Sequence, residues 1–527
     1  VTKLSLMLKC MEGETKSSIN AQLHFGERVL PTLDENIKCG NSLIDVDFYD
    51  GLLDFEPGIE KKVKPFSWEK AFPNVFKQGG FDGVIGNPPY VRQELIHDFK
   101  DYFQKHYKVY HGVADLYSYF VEKGIGLLNN KGLFGMIVAN KWMRANYGEP
   151  LRKWLKQQPI QQIIDFGDLP VFQQATTYPC IIIVGNDLSS TGLEPFTVNI
   201  KTLKFESLEK YVDKNKQKLN QQNLKDKGWN LGSETEQQLL KKIQSAGIPL
   251  GEYVKGKNFY GIKTGLNEAF VINEETRKLL IAEDKKSEEI IKPFLAGRDV
   301  KRYGICNSDK YLIFTKRGID IDKYPAIKKY LLQFKTRLMP KPKDFSGSEW
   351  KGRKPGSYQW YEMQDAVDYY KEFETDKIIY PNICKQPEFT FDNNKWYTNQ
   401  KCFIIAMDDK YLLGILNSKL DYFLFEKYLP KLRGGFYEPS YVFFKNFPIK
   451  NIDENNKSEK NQHDEIVHLV ETMLQLQKEK QQTSLPNKLN QLETRIQYTD
   501  DKINKLVYEL YGLNEEEVGI VNNINIS

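Results

Sequence analysis

Strand-length apolar runs, separated by helix-length tracts, place the tightest limit on how the first part of this chain folds. Val84 and Ile85 end one run; Leu133 to Ala139, Ile160 to Asp165 and Cys180 to Val184 make three more. Between them lie helical tracts at Gln93 to Tyr107, Asp115 to Leu128 and Glu149 to Lys156. Short β-rich runs alternating with helices predict a largely parallel sheet covered on both faces. The last two runs are joined by a loop, Phe166 to Pro179, and are expected to form an antiparallel hairpin at the sheet edge.

The first of these runs leads into an unusual turn, Gly86-Asn87-Pro88-Pro89-Tyr90. Proline lacks a backbone N–H and has a fixed φ, and the residue before it is held extended. Such a loop is stiff, and its carbonyls point in set directions. The Asn87 side-chain oxygen and the Pro88 carbonyl can each accept one N–H of a planar amine. Tyr90 can stack on the ring that carries it. Asn-Pro is also a common turn dipeptide, so the tetrapeptide gains its meaning from the strand before it.

The chain has 527 residues, enough for two or three domains, and a hydrophobic content of 40% supports packed cores. Its net charge of +5 demands no polyanionic partner, so a nucleic-acid surface requires basic residues gathered locally. Cysteines are scattered without a C-x-x-C pair, which points to neither a zinc site nor a disulfide framework and fits a reducing cytoplasm. His97, His106 and His111 are not spaced as a metal-binding face. No apolar run approaches the ~20 residues of a membrane span, and no signal peptide is evident. The chain begins with Val1 inside an amphipathic pattern (Leu4, Leu6, Met7, Leu8), and is read as a fragment.

Four segments are expected. Residues 1–186 form an α/β part, 187–247 a polar, Lys/Gln-rich helical connector, 248–450 a mixed α+β module, and 451–527 a helical hairpin. Within the third, Lys335, Arg337, Lys341, Lys343, Lys351, Arg353 and Lys354 form a Pro/Gly-broken basic stretch, followed by Tyr358, Trp360 and Tyr361. Basic residues interleaved with aromatics suit a surface that tracks phosphates. In the hairpin, Ile466, Val470, Met473 and Leu474 share one helical face; Leu489, Leu492, Ile496, Ile503, Leu506 and Leu510 share another. It is expected to serve as intramolecular support or a self-association surface.

In order, these pieces resemble a known family. Asn87-Pro88-Pro89-Tyr90 after an apolar strand is similar to the catalytic loop of S-adenosylmethionine-dependent adenine-N6 DNA methyltransferases. Ala114 to Tyr117, Gly132 to Val138 and Ile163 to Phe166 look like that family's later motifs, with Phe172 and Tyr178 to Ile183 following. Tyr260 to Asn267, Phe294 to Tyr303, Tyr411 to Lys419, Phe444 to Ile449 and Tyr508 to Leu513 resemble the specificity part of type IIG restriction–modification enzymes.

The resemblance implies a Rossmann-like methyltransferase sheet, incomplete here, followed by a DNA target-recognition domain. It implies that Asn87 and the Pro88 carbonyl hold the amine of a flipped-out adenine, with Pro89 keeping the loop rigid. Tyr90 would stack on one face of the base and Phe172 on the other, the substrate being double-stranded DNA. Asn41 falls where the family contacts the cofactor's adenine. The family's Gly-rich cofactor turn has no counterpart in this sequence. Gly124-Ile125-Gly126 follows a helix rather than a strand, and the gamma motif order would place the turn upstream of Val1. Two alternatives remain open at this point: a non-enzymatic DNA-binding specificity protein, and a methyltransferase for RNA or protein glutamine.

Overall fold

A computed structural model of the chain describes residues 33–50, 63–172, 178–185, 194–229 and 231–523, except 233, 307, 348 and 433, with isolated positions before residue 17. The chain divides into two compact units, Val1–Leu231 and Gly232–Ser527. The amphipathic start at Val1 to Leu8 lies for the most part outside the described residues.

Unit 1 is built on a sheet of β1 (Phe81–Gly86), β2 (Leu128–Ala139), β3 (Ile160–Asp165), β4 (Pro179–Gly185), β5 (Phe196–Asn199) and β6 (Gln217–Lys218). Their order is β1-β2-β4-β3-β5-β6. β1 runs parallel to β2, and β3 parallel to β5, whereas β4 is antiparallel to both β2 and β3. The sheet is therefore mixed, not largely parallel. The expected β3–β4 hairpin is antiparallel but central, because β4 inserts between β2 and β3.

Alternation along β3 shows how both faces are used. Ile163 joins a core with Tyr117, Val121 and Ile125 of the helix Tyr117–Gly126. Ile164 joins a smaller core with Val198, Ile200 and Val212 on the opposite face. Gly124, discounted above as a cofactor glycine, has a packing role: a Cβ there would sit 2.7 Å from the Phe134 ring.

The expected helical connector at 187–247 is not one element. Residues 196–218 add β5, the helix Leu208–Asn215 and β6 to unit 1, while the helix Glu234–Ala246 belongs to unit 2. Pairing to β3 overrides the polar composition of this stretch.

Unit 2 carries short sheets, antiparallel but for the parallel pairing of Ile291–Leu295 with Tyr397–Thr398, and a helical end. The helices Lys457–Gln482 and Pro486–Leu510 run antiparallel, with Lys480 to Glu493 at 2.9 Å near the turn and Gln462 to Glu509 at 3.3 Å near the far end. Ile466, Val470, Met473, Ile503 and Val507 are buried in one core with Tyr411 to Leu413. At Gly414 a Cβ would meet Ile466 at 2.8 Å, so the hairpin lies close on the helix Lys410–Leu416. The hairpin thus packs on the core of its own unit. No helix among the described residues is long and apolar enough to cross a membrane.

Candidate functional site

The loop after β1 is held at both ends. Gly86 leaves room for the Met136 side chain, which a Cβ would meet at 3.1 Å. Beyond the prolines, Val91 N–H donates to the Pro89 carbonyl at 3.0 Å, and Leu116 N–H donates to the Val91 carbonyl at 3.0 Å. Pro88 is buried while Asn87 is exposed, so the amide is presented from a fixed base. Tyr90 is half-buried, and its hydroxyl donates to the Ile137 carbonyl at 3.3 Å. Burial pushes that phenol up to about 12, with Cys180 a smaller contributor, so it stays a neutral donor. Its ring lies 6.5 Å from those of Tyr117 and Phe172, at 62° and 59°. Tyr90 and Phe172, expected on opposite faces of one base, lie near each other as a tilted and not a parallel pair.

Around this loop the strand ends form a polar rim, the usual ligand side of an open α/β sheet. Asn140, just past β2, donates to Asp165 at the end of β3 (2.7 Å) and to the Gly167 carbonyl (3.1 Å). Asp165 also accepts the Gly167 N–H at 2.9 Å. Tyr147 donates to Asp115 at 3.5 Å and lies 3.3 Å from the Tyr117 hydroxyl. Burial raises the Asp115 carboxyl, against the pull of Lys141 and Arg92. Sequence reading assigned no role to Asn140, Tyr147 or Asp165. The available signal was position: Asn140 and Asp165 are polar groups at the carboxyl ends of apolar runs.

The basic stretch in unit 2 splits into two kinds of residue. Lys335, Arg337, Lys343, Lys351 and Lys354 are exposed and Lys341 half-exposed. Arg337 pairs with Glu268 at 2.6 Å, Lys335 sits over Trp360 at 5.6 Å, and Lys341 over Phe345 at 5.2 Å. Arg353 is different: it is only 4% exposed. Its Nε donates to Leu338, one terminal nitrogen to Thr264 and Glu362, and the other to Gln359 and Trp360, all backbone carbonyls. A guanidinium has five N–H donors, and all are in use. Burial pulls it down to about 10. Arg353 is therefore withdrawn from the expected phosphate contacts; it ties loops together. Tyr358 is likewise buried, and Trp360 and Tyr361 pack against a core that includes Phe270, Ile327 and Met363.

Residues 1–172 match the Eco57I restriction-modification methylase family, and residues 292–449 match the TaqI-like C-terminal specificity domain. The first segment is thus similar to a restriction–modification methylase and the second to a specificity domain. The type II methyltransferase M.PaeR7I of Pseudomonas aeruginosa is 26% identical over 383 residues, 68% of this chain and 62% of that protein. The restriction enzyme and methyltransferase RM.Eco57I of Escherichia coli is 31% identical over 187 residues, 34% of this chain and 17% of its own length. The type IIL restriction–modification enzyme MmeI, solved in complex with DNA, shares the fold with a TM-score of 0.57 at 16% identity, over 90% of this chain and 61% of that one. The chain thus spans less than two thirds of the length of M.PaeR7I or MmeI.

Asn41 is the one expected cofactor contact in this chain. Its side-chain oxygen accepts the Leu43 N–H at 3.2 Å and so closes its own turn. Trp68 donates to the Ser42 carbonyl at 3.1 Å and packs edge-on against Phe81, at the far end of β1 from Asn87. A six-residue strand spans roughly 17 Å.

Proposed function

We propose that this chain receives and orients the target base in a sequence-specific adenine-N6 DNA methyltransferase of a restriction–modification system. The observation that carries the reading is the exposed Asn87 amide, fixed at the end of β1 by buried Pro88, with the Tyr90 ring behind it. The target amine of adenine is a poor nucleophile because its lone pair is delocalised into the purine. Asn87 Oδ1 and the Pro88 carbonyl each accept one of its N–H groups and draw the nitrogen toward tetrahedral geometry. This is orientation and electrostatic stabilisation, with no general base needed to begin.

The adenine must first leave the duplex, and unstacking costs a few kcal/mol. Tyr90 recovers part of that by stacking. Two rings clasping a base need about 7 Å between parallel planes, twice a ~3.5 Å contact. Tyr90 and Phe172 have centroids 6.5 Å apart at 59°, so one ring turns as the base enters. S-adenosylmethionine is the methyl donor this reading implies.

The test is a substrate panel of duplex DNA, RNA and protein with tritium-labelled S-adenosylmethionine, run on the protein of the full reading frame. Label in N6-methyladenine of duplex DNA is expected; label confined to RNA or to protein glutamine would overturn the reading.

A further inference from the structure

We propose that a cleft in unit 2 reads base edges of duplex DNA, with Arg298, Asn382 and Gln386 as the reading side chains. This rests on the reading of the chain as acting on DNA. The cleft has a volume of about 780 Å³ and lies where the strands Ile291–Leu295 and Lys377–Pro381 end and Cys402–Ile405 begins. Backbone contacts fix these ends together. Asn382 N–H donates to the Lys401 carbonyl at 2.8 Å, and a Cβ on Gly297 would sit 2.8 Å from that same oxygen. A site on strand ends is held more rigidly than one on a free loop.

Charge and donor chemistry then narrow the ligand. Arg298, Lys301, Lys385 and Lys401 face the cleft against one carboxylate, Glu388, which lies 3.6 Å from Lys301. A net positive wall suits a polyanion. Arg298 is exposed, with a 3.8 Å approach to its neighbour Asp299 as its ion pair. The amides of Asn382 and Gln386 are half-buried and make no hydrogen bond to the described residues, whereas Asn399 Oδ1 is taken by the Lys401 N–H at 3.0 Å. Arginine matches the guanine O6/N7 pair, and a free Asn or Gln amide matches the adenine N6/N7 pair, in the major groove. The basic stretch at 335–354 has cations but no such free amide. It fits phosphates, which position a duplex without reading it.

The test selects a randomised duplex DNA pool with the full chain and with Arg298→Ala, Asn382→Ala, Gln386→Ala and, as a phosphate control, Lys354→Ala. Melting temperatures confirm folding. Wild type should enrich one sequence. Each cleft variant should lose about tenfold in discrimination at one or two positions, with affinity for random duplex within about twofold. Lys354→Ala should weaken all sequences alike. Unchanged preferences in the cleft variants, or a uniform loss across positions, would overturn the assignment. So would duplex binding by wild type with no preference, which leaves the methyltransferase reading to its own labelling test. Absence of duplex binding together with methyl transfer to RNA or protein would overturn both.

Discussion

The loop at Asn87–Tyr90 and the basic stretch at 335–354 look equally functional as strings of residues, yet they behave differently in the fold. In the loop the Asn87 amide stays open and Tyr90 is only half-buried. Asn87 is exposed, and the Tyr90 hydroxyl, not its ring, is spent on the Ile137 carbonyl. In the basic stretch the most versatile donor, Arg353, has no free N–H, and its neighbour Arg337 already holds a carboxylate. Side chains anchored by backbone constraints remain available for ligands. Those whose own hydrogen bonds build the fold do not.

The sharpest way to break this contrast is at Asn87. Asn87→Ala should lower methyl transfer by roughly 10³-fold, the scale of losing one preorganised polar contact. Affinity for duplex should stay within about twofold, measured by filter binding beside the labelling assay. Retained transfer would remove Asn87 from the chemistry.

Arg353→Ala comes next and should act on stability. Losing its five hydrogen bonds to carbonyls should cost on the order of 3–5 kcal/mol in urea unfolding. Arg353→Lys should not rescue it, since an ammonium cannot supply the planar fork. An unchanged midpoint, with weaker DNA binding, would return Arg353 to the phosphate contacts.

A smaller effect is expected at Tyr90. Tyr90→Ala should cost roughly tenfold to a hundredfold in transfer, the ~1–3 kcal/mol of one stacked base. Tyr90→Phe should stay within about threefold, because the hydroxyl bond it deletes is long at 3.3 Å. Equal losses in both variants would mean that the hydroxyl, not the face, does the work.

The smallest effect separates the two kinds of basic residue. Lys343→Ala and Lys354→Ala should leave stability unchanged and lower duplex affinity a few-fold. Each should reduce the slope of log affinity against log salt by about 1. An unchanged slope would mark them as solvated charges.

What was legible in the sequence was local. Two prolines after an apolar strand restrict the turn whatever surrounds them, and Pro88 is buried there with Asn87 exposed. The hairpin was legible for the same reason: Ile466, Val470 and Met473 mark a face by spacing alone, and Pro486 begins the second helix. Pairing between distant segments was not legible. Nothing in Cys180 to Val184 says that it slides between β2 and β3, and the short strand Phe196–Asn199 hides in a polar stretch because pairing with β3 defines it. Burial of a charged group was hidden too. Arg353 and Lys354 are adjacent and both cationic, and the carbonyls that capture one of them come from residues as distant as Thr264.

The central claim is that Asn87 presents an adenine amine for methylation in duplex DNA. It is tested most directly by mapping N6-methyladenine in plasmid DNA from a host without adenine methylation, expressing the full reading frame with Asn87 intact or replaced by Ala. Methylation at one sequence motif, erased by Asn87→Ala, is the predicted result. Absence of N6-methyladenine with Asn87 intact, or the same modified motif with Asn87→Ala, would contradict it.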